Sequence, residues 1–148
     1  MGTTARNFFS RQEKDELKQA ILTAELDTSG EIRLHIENHC KGDVMDRAAD
    51  VFAMLKMHKT DLRNGVLFYL AVKDRKFAII GDKGINQVVP DNFWDEIKEE
   101  MGKAFKEGNF AEGLINGIHQ AGKHLKKHFP HQTDDINELS DEISFGAK

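Results

Sequence analysis

The stretch Gly65–Val72 reads GVLFYLAV and carries no charged side chain. A strand with apolar residues on both faces has to lie at the centre of a sheet that is covered on both sides. That requirement excludes a one-layer or two-sided-polar design and points to helices packed above and below. The run is too short for anything else. Val66 to Val72 is the longest uninterrupted apolar segment, far below the ~20 residues that a membrane-spanning helix needs.

The remaining elements follow from periodicity. Lys73-Asp74-Arg75 is a turn, and Phe77 to Ile80 returns as an antiparallel neighbour. Ile32, Leu34 and Ile36 alternate in the segment Glu31 to Ile36, which reads as another strand. Ser10 and Glu13 have the spacing of a capping box and open a helix bearing Leu17, Ala20, Ile21 and Ala24 on one face. Asp43 caps a second helix with Val44, Ala48, Val51, Phe52 and Leu55 inward. A third is expected to start at Asp91, and a fourth carries Phe110, Leu114, Ile118, Ala121 and Leu125 before Pro130. Gly113 and Gly117 on that last helix point to close packing against the sheet.

This order predicts an α/β class, a three-layer α/β/α sandwich whose small mixed sheet is covered by helices on both faces. A right-handed crossover makes the first two strands parallel. The chain has 148 residues, 39% of them hydrophobic and 31% charged, which suits one domain, assigned to residues 1–130. Residues 131–148 hold Asp134, Asp135, Glu138, Asp141 and Glu142 against Lys148 alone. They read as an acidic tail, or as a short amphipathic helix on Ile136, Leu139 and Ile143 that docks on the domain or on a protein partner.

Charge and cysteine content narrow the function. With 21 basic and 25 acidic residues the net charge is −4, which disfavours nucleic acid as a partner. Cys40 is the single cysteine, so no disulfide framework is possible and a reducing compartment is expected. Met1 to Phe9 lacks the apolar core of a secretory signal. A cytoplasmic protein without membrane insertion is therefore expected.

Nucleophilic catalysis finds little support. His39-Cys40 is like the start of a cysteine-phosphatase loop, but the arginine needed six residues on is Asp46, with Arg47 one place late. There is no Gly-x-Ser-x-Gly elbow, Walker loop or His-Glu-x-x-His pair. Gly81-Asp82-Lys83-Gly84 could offer backbone amides to an anion, although a glycine-bounded turn leaving a strand is far commoner. His124 and His128 have metal-ligand spacing, yet Lys123, Lys126 and Lys127 surround them and favour a plain basic helix end.

Carboxylates are more informative. The topology above brings Glu31, Asp61, Asn64 and Asp82 to one edge of the sheet, with Asp91 at a helix start nearby. Calcium and magnesium take several oxygen ligands from loops, including amide carbonyls. The competing reading is ordinary solvated loop charge.

The elements Asp61-x-x-Asn64-Gly65-Val66-Leu67, Asp74-Arg75, Gly81 and Phe105-Lys106-x-Gly108-Asn109-Phe110, in this order, resemble the TPM domain family. That family includes thylakoid-lumen proteins of photosystem II repair and many bacterial proteins. The similarity runs from about Glu25 to Phe129. It implies an α/β/α sandwich, divalent metal binding (calcium in particular) and, for some members, acid phosphatase activity. By that resemblance Asp61, Asn64 and the backbone of Gly65 form a metal or active-site loop, to which the strand-edge geometry adds Glu31 and Asp82. Lys103, Asn109 and Phe110 depart from the family's usual proline, aspartate and tyrosine. Three functions are thus open: a calcium- or magnesium-binding scaffold, a weak metal-dependent phosphomonoesterase, and a metal-free interaction domain using the acidic tail.

Overall fold

Four strands in the order β3-β2-β1-β4 form the central layer of the chain. The computed structural model describes residues 4–26, 28–130 and 143–146. The elements are α1 (Arg11–Glu25), β1 (Glu31–Glu37), α2 (Val44–Met54), β2 (Gly65–Ala71), β3 (Lys76–Gly81), α3 (Lys83–Asn86), α4 (Asp95–Lys106), α5 (Phe110–His128) and β4 (Ser144–Phe145). β1 runs parallel to β2 and to β4, and β2 is antiparallel to β3. The expected α/β/α sandwich with a mixed sheet is present.

Every residue of β2 is buried, as its composition demands. Val66, Phe68 and Leu70 join Ile32, Leu34 and Ile36 in a core filled from above by Leu17 and Ile21 of α1, Met101 of α4, and Ile118 and Leu125 of α5. Leu67, Tyr69 and Ala71 face the other way, toward Ala48, Val51 and Phe52 of α2. Close approach of the upper helices depends on small residues. A β-carbon at Gly122 would lie 2.8 Å from that of Ala24, and one at Gly117 would lie 2.8 Å from the Met101 sulfur. Of the pair Gly113 and Gly117, the first meets Ala104 and Phe105 of α4 and the second meets Met101 of α4 and Phe68 of β2, so the close packing is mainly against α4 rather than against the sheet as expected.

Alternation on β1 is unusual in one respect. Its second face carries Glu31, Arg33, His35 and Glu37, of which Glu31, His35 and Glu37 are buried. The cost of burying such groups is met only when each finds a partner.

Local signals at the first two helices are borne out. Ser10 and Glu13 exchange both bonds of the capping box, and the Asp43 side chain accepts from the Asp46 amide at 3.0 Å. α4 begins at Asp95 rather than Asp91. The Phe93 amide donates to the Pro90 carbonyl at 3.0 Å, so residues 90–93 form a turn, and Trp94 is then buried against Gly81. Two elements are additional. α3 follows β3 directly, and β4 pairs with β1 through His35–Ser144 and Ile36–Phe145. Ile143 is buried in the upper core; Ile136, Leu139 and the five acidic residues expected in a tail or helix lie outside the described residues. No helix among the described residues is long and apolar enough to cross a membrane.

Candidate functional site

The β1–β2 register places Glu31 opposite Gly65. The Glu31 amide donates to the Asn64 carbonyl at 3.4 Å, and the Asp82 amide donates to the Gly65 carbonyl at 2.9 Å. Glu31, Asn64, Gly65 and Asp82 therefore meet at one sheet edge, as the topology predicts. All four are buried, and the Asn64 side-chain amide donates to Ser29 Oγ at 3.3 Å. Asp61 is exposed in the loop leading into β2, and Asp91 is exposed in the turn before α4.

Arg63 is the member of this edge that spacing does not reveal. Its guanidinium donates to both Asp82 oxygens, Nε to Oδ2 at 2.7 Å and Nη2 to Oδ1 at 2.9 Å. The fork matches the carboxylate, and the Asp82 bond raises the Arg63 pKa. Asp82 also caps α3, accepting from the Lys83 amide at 2.8 Å. Arg63 reaches this position from a left-handed backbone, φ +50°.

The two loops cross in direct contact. The Gly84 amide donates to the Arg63 carbonyl at 2.8 Å. A β-carbon at Gly84 would collide with the Leu62 and Arg63 carbonyl oxygens. The Leu62 and Arg63 carbonyl oxygens thus lie against Gly84, two residues from the Asp82 carboxylate, while Asp61 stands exposed in the same loop. Thr60, at the start of this crossing, has a buried hydroxyl without a hydrogen-bond partner among the described residues. Buried polar atoms of this kind call for a water or an ion.

Among the described residues there is no group of three His, Cys, Asp or Glu side chains placed to hold a metal, whether of the zinc type or of the all-carboxylate type. A calcium or magnesium ion at this edge would have to draw on carbonyl oxygens as well as carboxylates. His124 and His128 do not form a site: both rings pack edge-on against Phe93, at 4.6 and 6.3 Å between centroids.

The opposite edge holds a buried polar network. Arg47 of α2 donates to both Glu37 oxygens at 2.8 Å, and the Tyr69 hydroxyl donates to Glu37 Oε2. Burial alone would raise the Glu37 carboxyl, but Arg47, Tyr69 and His35 outweigh it and hold it at about 2. Burial lowers the His35 pKa, against the opposing pull of Glu37. The His35 Nε2 faces Glu37 Oε1 at 3.3 Å and its Nδ1 faces Ser144 Oγ at 2.8 Å. Farther out, Asp74 binds His39 Nδ1 at 3.0 Å and the Cys40 amide at 2.7 Å, and these bonds lower its pKa in that order. Cys40 itself is buried. Sequence reading passed over Glu37, Arg47 and Tyr69; alternating charge on β1 was the available signal.

Comparison with known proteins agrees with this architecture. A family model described as the TPM domain matches residues 3–124. The NMR structure of BA42 protein from the psychrophilic bacterium Bizionia argentinensis shares 51% identity, with TM-score 0.88, covering 95% of this chain and 97% of that one. Two further solution structures share the fold. The N-terminal domain of a protein from P. gingivalis has 18% identity and TM-score 0.66, covering 85% of this chain and 84% of its own. The N-terminal domain of the cg2496 protein from Corynebacterium glutamicum has 12% identity and TM-score 0.63, covering 92% and 80%. No curated protein matches the chain. With a family model spanning most of its length and a solved relative sharing half its residues, the chain belongs to the TPM domain family.

Proposed function

We propose that this TPM domain is a divalent-cation-binding module that takes calcium or magnesium at the crossing of residues 60–65 with residues 82–84. The observation that carries the reading is the contact of the two loops at Gly84, together with the unpartnered buried hydroxyl of Thr60 in the first loop. Asp61, Asp82 and the Asn64 side-chain carbonyl are the side-chain donors, supplemented by loop carbonyls, with Glu31 adding negative charge at the same edge. Bound there, the cation would supply positive charge that ties the two loops together, and a Lewis acid for a phosphate ester.

Arg63 sets the strength of binding. Its guanidinium already neutralises Asp82, so it competes with any cation for the same oxygens. Substitution Arg63→Gln should tighten binding several-fold, whereas Asp61→Ala should weaken it by about tenfold or more, as loss of one charged ligand does. The test is titration of metal-stripped protein with calcium or magnesium chloride, followed by amide NMR. Saturable shifts confined to residues 29–31, 60–65 and 82–85 are expected. Absence of saturation at millimolar metal, or unchanged affinity in Asp61→Ala, overturns the proposal. The acid phosphatase alternative is read from the same variant: turnover of a phosphate ester that survives Asp61→Ala does not come from this site.

A further inference from the structure

A cavity of about 490 Å³ opens at the sheet edge opposite the loop crossing. Its walls are Leu70, Phe77, Phe105 and Phe110, and Arg75 and Lys106 stand at the rim. This is the size and character of a small-molecule site, which typically spans ~300–1,000 Å³ and is mostly apolar with a few polar groups. We propose that the cavity binds a small amphipathic anion, a flat apolar or aromatic body bearing one carboxylate or phosphate group.

Three features argue for this occupant. The aromatic walls are mutually fixed: Phe105 stacks on Phe110 at 5.1 Å and meets Phe77 edge-on at 4.9 Å. Preset rings of this kind offer a flat slot at little entropic cost. The rim is cationic in a chain of net charge −4, no acidic residue lines the cavity, and among the described residues neither Arg75 nor Lys106 has an ion-pair partner. Arg75 is presented from the hairpin in a left-handed conformation, φ +54°, which a side chain other than glycine adopts at some cost.

The third feature is Gly102, in the middle of α4. Gly113, Gly117 and Gly122 are each required by a neighbour within 2.9 Å of an added β-carbon. Gly102 is not, since the nearest atom, Phe77 Cζ, would lie at an ordinary 3.7 Å. Glycine is disfavoured inside a helix, and packing does not explain it here. Its missing side chain is what leaves the cavity open.

Gly65 at the loop crossing and Leu70 in the cavity wall are five residues apart along β2, roughly 17 Å at the rise of a strand, so its test is independent of metal binding. The probes are 1-naphthyl phosphate, 2-naphthoate and neutral 2-naphthol, titrated into the intact chain and followed by amide NMR. Saturable shifts at Phe77, Gly102 and residues 105–110 are expected with one or both anions, and the pair reports which head group is preferred. Naphthol should bind about tenfold more weakly, as should the anions to the double variant Arg75→Ala/Lys106→Ala. Gly102→Leu, which fills the cavity from a position where glycine is costly to the helix, should abolish binding while the spectrum stays folded. No saturation by either anion up to about 10 mM, equal binding of naphthol, or undiminished binding by Gly102→Leu overturns the proposal.

Discussion

Glu37 is surrounded by donors on three sides, and each donor comes from a different element: Arg47 from α2, Tyr69 from β2 and His35 from its own strand. The carboxylate is 5% exposed, so its charge is sustained by these bonds rather than by water. Tyr69→Phe removes one donor without changing shape and should cost about 2 kcal/mol, the worth of a hydrogen bond to a charged group, read as a lower urea midpoint at unchanged slope. Arg47→Met should cost more, about 3 kcal/mol, because it leaves the buried charge without its counter-ion. Neither residue was legible as a partner. A bidentate pair between a strand and the following helix depends on how far α2 rotates over the sheet, and helical periodicity identifies only its apolar side. The same blindness applied at the loop crossing, where Asp82 was found from strand order while Arg63, which neutralises it, was not.

At the level of elements, what sequence shows well is what obeys a period or a cap. α1, α2, β1, β2 and β3 appear within a residue or two of their expected places, since each carries either a capping side chain or a regular apolar repeat. α3 has four residues and β4 has two, too few for any period: the one rests on a local cap from Asp82, and the other exists because β1 pairs with it. The start of α4 slipped because Pro90 made a turn where Asp91 offered a cap. Glycines separate the two helical interfaces in a testable way. Gly122→Ala should cost about 1–3 kcal/mol, because the added methyl meets Ala24 on α1. Gly102→Ala should stabilise the protein by about 0.5–1 kcal/mol, since no neighbour opposes it. Thermal unfolding of the pair, with opposite signs expected, checks whether α5 is seated as closely on α1 as its contacts require.

The whole molecule inherits an acid sensitivity from β1. Protons bind the unfolded chain more readily than the folded one at both Glu37 and His35, so stability rises with pH over the ranges where the two states differ. For His35, whose folded pKa lies below the ordinary value of 6.5, stability should begin to fall as pH drops below about 6.5. Glu37 adds a second loss between about 4.5 and about 2, worth on the order of 2–3 kcal/mol. Urea unfolding across this range should show both limbs, and His35→Gln should shrink the upper one, to which His124 also contributes because burial lowers its pKa, while leaving the lower. The fold class could be read from the central strand and the order of the elements around it, because one fully apolar segment dictates a covered sheet and the helices on either side of it in sequence supply the cover. The two proposed sites were visible only in part, because each joins segments that are distant in sequence and declares itself through contact.

β4 seals one side of β1 from a point 109 residues farther along the chain, through the His35–Ser144 pair. During synthesis, at roughly 5–20 residues per second, that side of the strand stays open for roughly 5–20 seconds after it is made. An open strand edge invites pairing with a neighbouring nascent chain. Glu31, Arg33 and Glu37, with the polar His35 between them at every second position of β1, then act as gatekeepers: until the last strand arrives, the exposed ribbon carries three charges on one face and resists aggregation.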